Sequence, residues 1–60
     1  MRILLVEDDS ALADAVCSYL VAKAFVVDVA SSLAEARGAL LSVQYAAVLL
    51  DLHLGDGDGL

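Results

Sequence analysis

Apolar residues in this chain gather in three short runs, separated by two stretches in which apolar and polar positions alternate at helical spacing. The runs cover residues 3–6, 25–29 and 46–50. Continuous Ile, Leu and Val bounded by polar residues are typical of a strand that is buried on both faces. The middle run contains one charge, Asp28, which favours an edge strand over a central one. The pattern therefore predicts three strands, the third over about residues 46–51.

The first of the two intervening stretches predicts a helix over about residues 10–23. Leu12, Val16 and Leu20 share one helical face, and this spacing indicates an amphipathic helix. Ser10 is the expected N-cap, because serine oxygens accept the free N–H groups of a first turn. Asp9 is assigned to the start of the same helix.

The second stretch predicts a helix that begins after Ser32 and ends at about residue 43. Ser32 and Glu35 form the Ser-x-x-Glu pattern of a capping box. Apolar residues then recur at helical spacing, at Leu33, Ala36, Leu40 and Leu41. Gly38 weakens this helix by about 1 kcal/mol relative to alanine. The predicted order is strand, helix, strand, helix, strand.

Carboxylates follow the first and third apolar runs. Glu7, Asp8 and Asp9 come after the first run, and Asp51 comes after the third. Ligand sites of α/β sheets lie beyond the carboxyl ends of the strands, so neighbouring parallel strands would bring Glu7, Asp8 and Asp51 together. Carboxylates this close repel one another unless a hard cation lies among them, and Mg²⁺ binds to few carboxylates plus water. The sequence predicts a magnesium site.

The composition narrows the range of expected binding partners and cellular locations. Nine acidic against three basic residues give a net charge of −6, which argues against nonspecific binding to nucleic acid or to an anionic membrane. A single cysteine, Cys17, cannot form an intramolecular disulfide, so a reducing cytoplasmic location is expected. We expect Cys17 to be a buried apolar residue. No apolar run approaches the roughly 18 residues that indicate a membrane span.

Three segments together resemble the receiver domain of bacterial two-component response regulators: MRILLVEDD at 1–9, VDVA at 27–30 and LLDLHLGDGDGL at 49–60. The resemblance extends over essentially the whole chain and is strongest to regulators with a winged-helix DNA-binding domain. It implies an α/β fold, half of a flavodoxin-like doubly wound receiver, with parallel sheet order 2-1-3 and one helix on each face. A receiver is about twice as long, and a 60-residue domain is marginal alone, so we expect residues 1–60 to be its amino-terminal half.

The resemblance also implies a function for each acidic position. Asp51 would be the phosphoacceptor, phosphorylated by a sensor histidine kinase. Asp8 would bind Mg²⁺ directly, Glu7 through water, and the backbone carbonyl of His53 would complete the protein ligands. With one histidine and no suitable second nitrogen or sulfur ligand, a zinc site is disfavoured. The module would be a phosphoacceptor rather than an enzyme, controlling transcription through an output domain outside these residues, and only that domain would contact DNA.

The chain departs from the family pattern at several positions. Gly55 replaces a proline that usually follows the phosphoacceptor, so we expect a less rigid loop. Ala24 stands where such domains often have glycine; a left-handed backbone there would cost about 1 kcal/mol. The Ser or Thr and the Lys that hold the phosphoryl group in the family are not matched within these residues. Stable phosphorylation of this chain alone is therefore expected to be poor.

The same residues also fit other interpretations. The acids after the first strand could simply favour the start of a helix, and the chain could be a folding or oligomerisation module without signalling competence. The exposed edge over residues 46–51 predicts a homo-oligomer, with a continuous sheet in order 2-1-3-3′-1′-2′. A haloacid-dehalogenase phosphatase is disfavoured because His53 stands where its second Asp would be. The EF-hand and dinucleotide-binding motifs are incomplete.

Overall fold

The computed structural model describes residues 1–50 and has the predicted alternation of strands and helices. The elements are β1 Arg2–Val6, α1 Ser10–Ala22, β2 Val26–Ala30, α2 Leu33–Ser42 and β3 Ala47–Leu50. Their bounds agree with the predictions to within one or two residues. The predictions for Asp51, His53 and Gly55 concern positions outside the described residues.

The three strands form one open parallel sheet in the order β2-β1-β3. In the centre of the sheet, Leu5 is in register with Val29 on one side and with Leu49 on the other. Both the predicted order and the predicted edge position of β2 are confirmed. The arrangement is consistent with half of a flavodoxin-like fold.

The central strand β1 supplies most of the core, because both of its faces are covered. Ile3, Leu4, Leu5 and Val6 are all buried. Successive side chains of a strand point to opposite faces, and Leu4 and Val6 pack with Ala36 of α2. Right-handed crossovers place the helices of such a chain on opposite faces of the sheet. Ile3 and Leu5 therefore face the α1 side.

The N-cap of helix α1 lies one residue earlier than the sequence predicts. The N-cap is Asp9, not Ser10: Asp9 has an extended backbone, and its carboxylate accepts a hydrogen bond from the Leu12 N–H at 3.1 Å. A carboxylate is the stronger acceptor and also interacts favourably with the positive end of the helix dipole. Ser10 is the first helical residue.

The apolar face of α1 is also shifted from the prediction. Ala13 is the buried residue of the helix, and Val16 and Leu20 are half-buried. Leu12, which was expected on this face, is largely exposed. The buried face of α1 therefore centres on Ala13.

The capping box of α2 is confirmed, with one difference in its reciprocal bond. The Ser32 hydroxyl accepts a hydrogen bond from the Glu35 N–H at 3.1 Å. The Glu35 carboxylate accepts from the N–H of Ser31 at 3.0 Å and from the Ser31 hydroxyl at 3.1 Å, whereas the usual donor is the N–H of the capping residue itself. The capping box therefore also restrains the backbone at Ser31, the residue before the N-cap.

Helix α1 is followed by a left-handed residue, Ala24, at the position where the family often has glycine. Ala24 has φ 72°. Its N–H donates to the Val21 carbonyl at 2.9 Å, and the Phe25 N–H donates to the Leu20 carbonyl at 3.1 Å. These two bonds define a Schellman motif, in which glycine is the common residue at the left-handed position.

We predict that Ala24→Gly raises the free energy of unfolding by about 1 kcal/mol, because glycine has no Cβ penalty at positive φ. Urea unfolding followed by circular dichroism measures the change. Ala15→Gly, at an exposed position in the middle of the same helix, is the matched control and should lower stability by about 1 kcal/mol. The same sign for both substitutions would contradict the assigned strain.

Candidate functional site at the carboxyl edge of the sheet

The ends of β1 and β3 lie side by side at one edge of the sheet. Val6, the last residue of β1, is in register with Leu50, the last residue of β3, and adjacent strands are about 4.8 Å apart. Glu7 directly follows Val6 in the sequence, and Asp51 directly follows Leu50. The structure thus brings together the two strand ends that precede the predicted site residues, while Asp51 and His53 lie outside the described residues.

Among residues 1–50, Glu7 is the buried acid of this edge. It is 6% exposed, its N–H donates to the Ala30 carbonyl at 2.9 Å, and its carboxylate accepts from the Asp9 N–H at 3.1 Å. Burying a carboxylate is costly unless hydrogen bonds compensate. These bonds hold Glu7 between the end of β2 and the start of α1.

Asp8 differs from its two acidic neighbours. Its side chain is exposed, and within residues 1–50 it has no hydrogen-bond or ion-pair partner. Glu7 and Asp9 both accept backbone N–H groups at the start of α1, so the alternative of helix initiation accounts for one interaction of each. It does not account for Asp8.

The donors at this edge suit a hard cation. Mg²⁺ binds to one or two carboxylates and retains several waters, and the exposed carboxylate of Asp8 can supply such a ligand beside the fixed carboxylate of Glu7. Residues 1–50 contain no group of three His, Cys, Asp or Glu side chains placed to hold a metal. The predicted site requires Asp51 and His53 in addition, and so it stays a prediction.

A polar network that the sequence analysis missed lies at the opposite end of β1. The Arg2 guanidinium donates to both carboxylate oxygens of Asp28, at 3.0 and 3.2 Å, and the Tyr45 hydroxyl donates to the same carboxylate at 2.6 Å. The Arg2 hydrogen bond, followed by that of Tyr45, lowers the pKa of Asp28. The Asp28 carboxylate raises the pKa of Tyr45. The network connects β1, β2 and the segment before β3.

The charged residues of this network are visible in the sequence, but their pairing cannot be predicted without the register of the strands. Arg2 and Asp28 are isolated charges within or beside apolar runs, and the pairing of Arg2 with Val26 places them two residues apart along neighbouring strands. The network is remote from Glu7 and Asp8, so we assign it to holding the strands together.

An apolar groove of about 290 Å³ lies between α2 and β3. Within residues 1–50 its lining is aliphatic apart from one cation, Arg37: Val6, Leu33, Ala36, Arg37, Leu40, Val48 and Leu50. The sequence analysis placed most of these residues in elements but did not foresee an open space among them. Neither Glu7 nor Asp8, the predicted site residues within 1–50, lines the groove.

Two smaller expectations are also resolved. Cys17 is a free thiol in a half-buried position on α1, so its predicted burial in the core is wrong; the buried residue of α1 is Ala13. Across residues 1–50, neither helix has the length and apolarity needed to cross a membrane.

Similarity to known proteins extends over the whole chain. The chain is 45% identical to the swarming motility regulation protein RssB of Serratia marcescens, and 38% identical to the transcriptional regulatory protein PmrA of Pectobacterium parmentieri. It is 47% identical to the probable transcriptional regulatory protein y4xI of Sinorhizobium fredii. Each match covers all 60 residues of this chain but only 26–27% of the relative, so the chain spans about a quarter of their length. No protein-family model and no solved structure matches.

These relatives are response regulators, and the chain matches a receiver domain in them. The fold agrees, since the open parallel sheet has the order that the resemblance implied. The resemblance of the chain to a response-regulator receiver domain is therefore confirmed.

Proposed function

We propose that the chain is the phosphoacceptor module of a two-component response regulator, with Asp51 as the residue that receives the phosphoryl group. The observation that carries the proposal is the register of Val6 with Leu50. It aligns the strand end before the acidic pair with the strand end before Asp51. Receiver relatives that match the full chain support the same function.

In the proposed reaction an oxygen of Asp51 attacks the phosphorus of a phosphohistidine in line with the bond to nitrogen. A P–O bond forms while the P–N bond breaks, and the electron pair of that bond returns to the imidazole of the kinase. The product is an acyl phosphate on Asp51. The chain is thus a recipient in a transfer rather than an enzyme.

Glu7, Asp8, Asp51 and the backbone carbonyl of His53 would hold Mg²⁺, which when bound neutralises charge on the transferring phosphoryl group. Asp8 has the exposed carboxylate suited to direct ligation. Glu7 is fixed by its bond to the Asp9 N–H and suits a role through water. The same hydrogen bond also holds the start of α1 in place beside the proposed pocket.

The partners follow from this function. A sensor histidine kinase would supply the phosphoryl group, and the signal would pass to an output domain that controls transcription, the part of the regulator that contacts DNA. Two of the relatives are named as transcriptional regulators. We place the module in the cytoplasm and propose that the chain forms a homo-oligomer, with no membrane partner.

Titration with Mg²⁺ tests the pocket. We predict that Mg²⁺ shifts the amide NMR signals of Glu7, Asp8 and Asp51 together, with weak affinity, because a hard cation would draw on ligands from both strand ends. Asp8→Asn removes a direct carboxylate ligand and should weaken binding by about tenfold or more.

The matched control for this titration is Asp14→Asn. Asp14 is an exposed carboxylate on α1, so the substitution removes the same charge without touching the carboxyl edge of the sheet, and Mg²⁺ affinity should be unchanged. Equal affinities for Asp8→Asn and the unmodified chain would contradict the assignment of Asp8 as a ligand.

A further inference from the structure

Asp9 is the residue that joins the carboxyl edge of the sheet to helix α1. Its carboxylate accepts the Leu12 N–H at 3.1 Å, and its backbone carbonyl accepts the Ala13 N–H at 2.9 Å. Its own N–H donates to the Glu7 carboxylate at 3.1 Å. Three groups of one residue thus connect the first turn of α1 to the buried acid that follows β1.

The backbone around Asp8 is held on both sides. On one side, the Glu7 N–H donates to the Ala30 carbonyl of β2 at 2.9 Å. On the other side, the hydrogen bonds of Asp9 fix the next residue both to α1 and to Glu7. Asp8 lies between these two points, and its side chain is exposed. An exposed carboxylate on a restrained backbone loses less conformational freedom when it binds a ligand.

We infer that Asp9 is a positioning residue of the proposed magnesium pocket. Its carboxylate caps α1 and, through the backbone N–H of the same residue, keeps Glu7 and Asp8 in place. The inference rests on the proposed function, which assigns Glu7 and Asp8 to the metal. Asp9 acts through these two neighbours and is not itself assigned as a ligand.

The capping bond makes the position of Asp9 depend on its side chain. Asp9 has an extended backbone, with φ −86° and ψ 109°, and lies just before the first helical residue. Removing the acceptor of an N-cap favours fraying of the first turn by about fivefold. Fraying at this point would release the Asp9 N–H from Glu7, and a buried carboxylate that loses a donor moves toward water.

Two substitutions that remove the same charge separate positioning from electrostatics. Asp9→Asn retains an oxygen that can cap α1, because Asn is as good an N-cap as Asp, whereas Asp9→Ala retains none. Both variants keep the backbone N–H that donates to Glu7. A difference between them therefore reports the capping bond and not the lost charge. Ala15→Gly is the matched control, because it weakens the exposed middle of the same helix by a comparable amount without changing Asp9.

Hydrogen exchange without metal is the first readout. The amide of residue 9 should exchange about fivefold faster in Asp9→Ala than in Asp9→Asn, after correction for intrinsic rates. In Ala15→Gly it should exchange as in the unmodified chain. Equal rates in the two Asp9 variants would overturn the inference, whatever their response to Mg²⁺.

Mg²⁺ titration followed by the amide NMR signal of Asp8 is the second readout. Asp9→Asn should bind Mg²⁺ about fivefold more tightly than Asp9→Ala, and Ala15→Gly should bind as the unmodified chain does. Equal affinities of the two Asp9 variants, or the same loss in Ala15→Gly as in Asp9→Ala, would overturn the inference.

The two readouts also separate this inference from the proposed function. An unmodified chain that does not bind Mg²⁺ would reject the proposed function and with it the metal role of Asp9, while the exchange comparison would still decide whether Asp9 holds Glu7. If Asp9→Ala fails to fold, Asp9→Gly takes its place in both measurements, because glycine at an N-cap costs little stability.

Discussion

Replacing Leu4 with alanine lowers the free energy of unfolding by about 2–5 kcal/mol, a loss comparable to the whole stability of a domain this small. Leu4 is 0% exposed. It lies in the central strand and belongs to the cluster formed with Val6, Ala30 and Ala36. Removing its side chain costs both the transfer of buried methyl groups and the cavity that remains, because strands on either side keep the backbone from closing the gap.

Urea unfolding followed by circular dichroism measures this loss, and the same substitution at Leu41 is the control. Leu41 is 84% exposed, so Leu41→Ala should change stability by less than about 0.5 kcal/mol. Similar losses at the two positions would show that the core is not centred on β1.

The apolar runs predict the elements and their order along the chain well, and the sheet order 2-1-3 was implied by the resemblance to receiver domains. Burial on both faces is confirmed for the run at 3–6, whereas the equally continuous run of β3 is exposed within residues 1–50. The run at 3–6 became the buried central strand, and the charge of Asp28 correctly indicated an edge. Capping chemistry is also local: Ser32 and Glu35 lie three residues apart and form their predicted bond. The left-handed backbone of Ala24 agrees with its place in a position often occupied by glycine.

The features that the sequence could not predict depend on competition between neighbouring capping residues or on the register of the strands. Asp9 and Ser10 are both good N-caps, and the choice of Asp9 depends on the backbone leaving β1. The Arg2–Asp28–Tyr45 network requires the strand register and the path of the segment before β3. These are three-dimensional properties with no periodic signal.

For the candidate site, the sequence selected candidate acids but did not indicate how their environments differ. Glu7 and Asp8 are adjacent carboxylates, yet one is buried and hydrogen-bonded while the other is exposed. Alternation of side chains at the end of a strand separates them. The roles proposed for Asp51 and His53 stay predictions.

Substituting Asp51 by asparagine should abolish phosphorylation, the largest functional effect expected for this chain. An amide cannot act as the nucleophile that forms an acyl phosphate. The substitution also removes one proposed oxygen ligand of Mg²⁺ and thereby weakens the pocket next to Asp8. Asp14→Asn, which removes an exposed carboxylate from α1, should leave labelling unchanged.

Intact-mass analysis after treatment with a small phosphodonor and Mg²⁺, with rapid acid quenching, tests this claim most directly. We expect short-lived, incomplete addition of one phosphoryl group to the unmodified chain and to Asp14→Asn, dependence of that addition on Mg²⁺, and no addition to Asp51→Asn. A phosphoryl group that still attaches to Asp51→Asn would contradict the assignment of Asp51 as the phosphoacceptor.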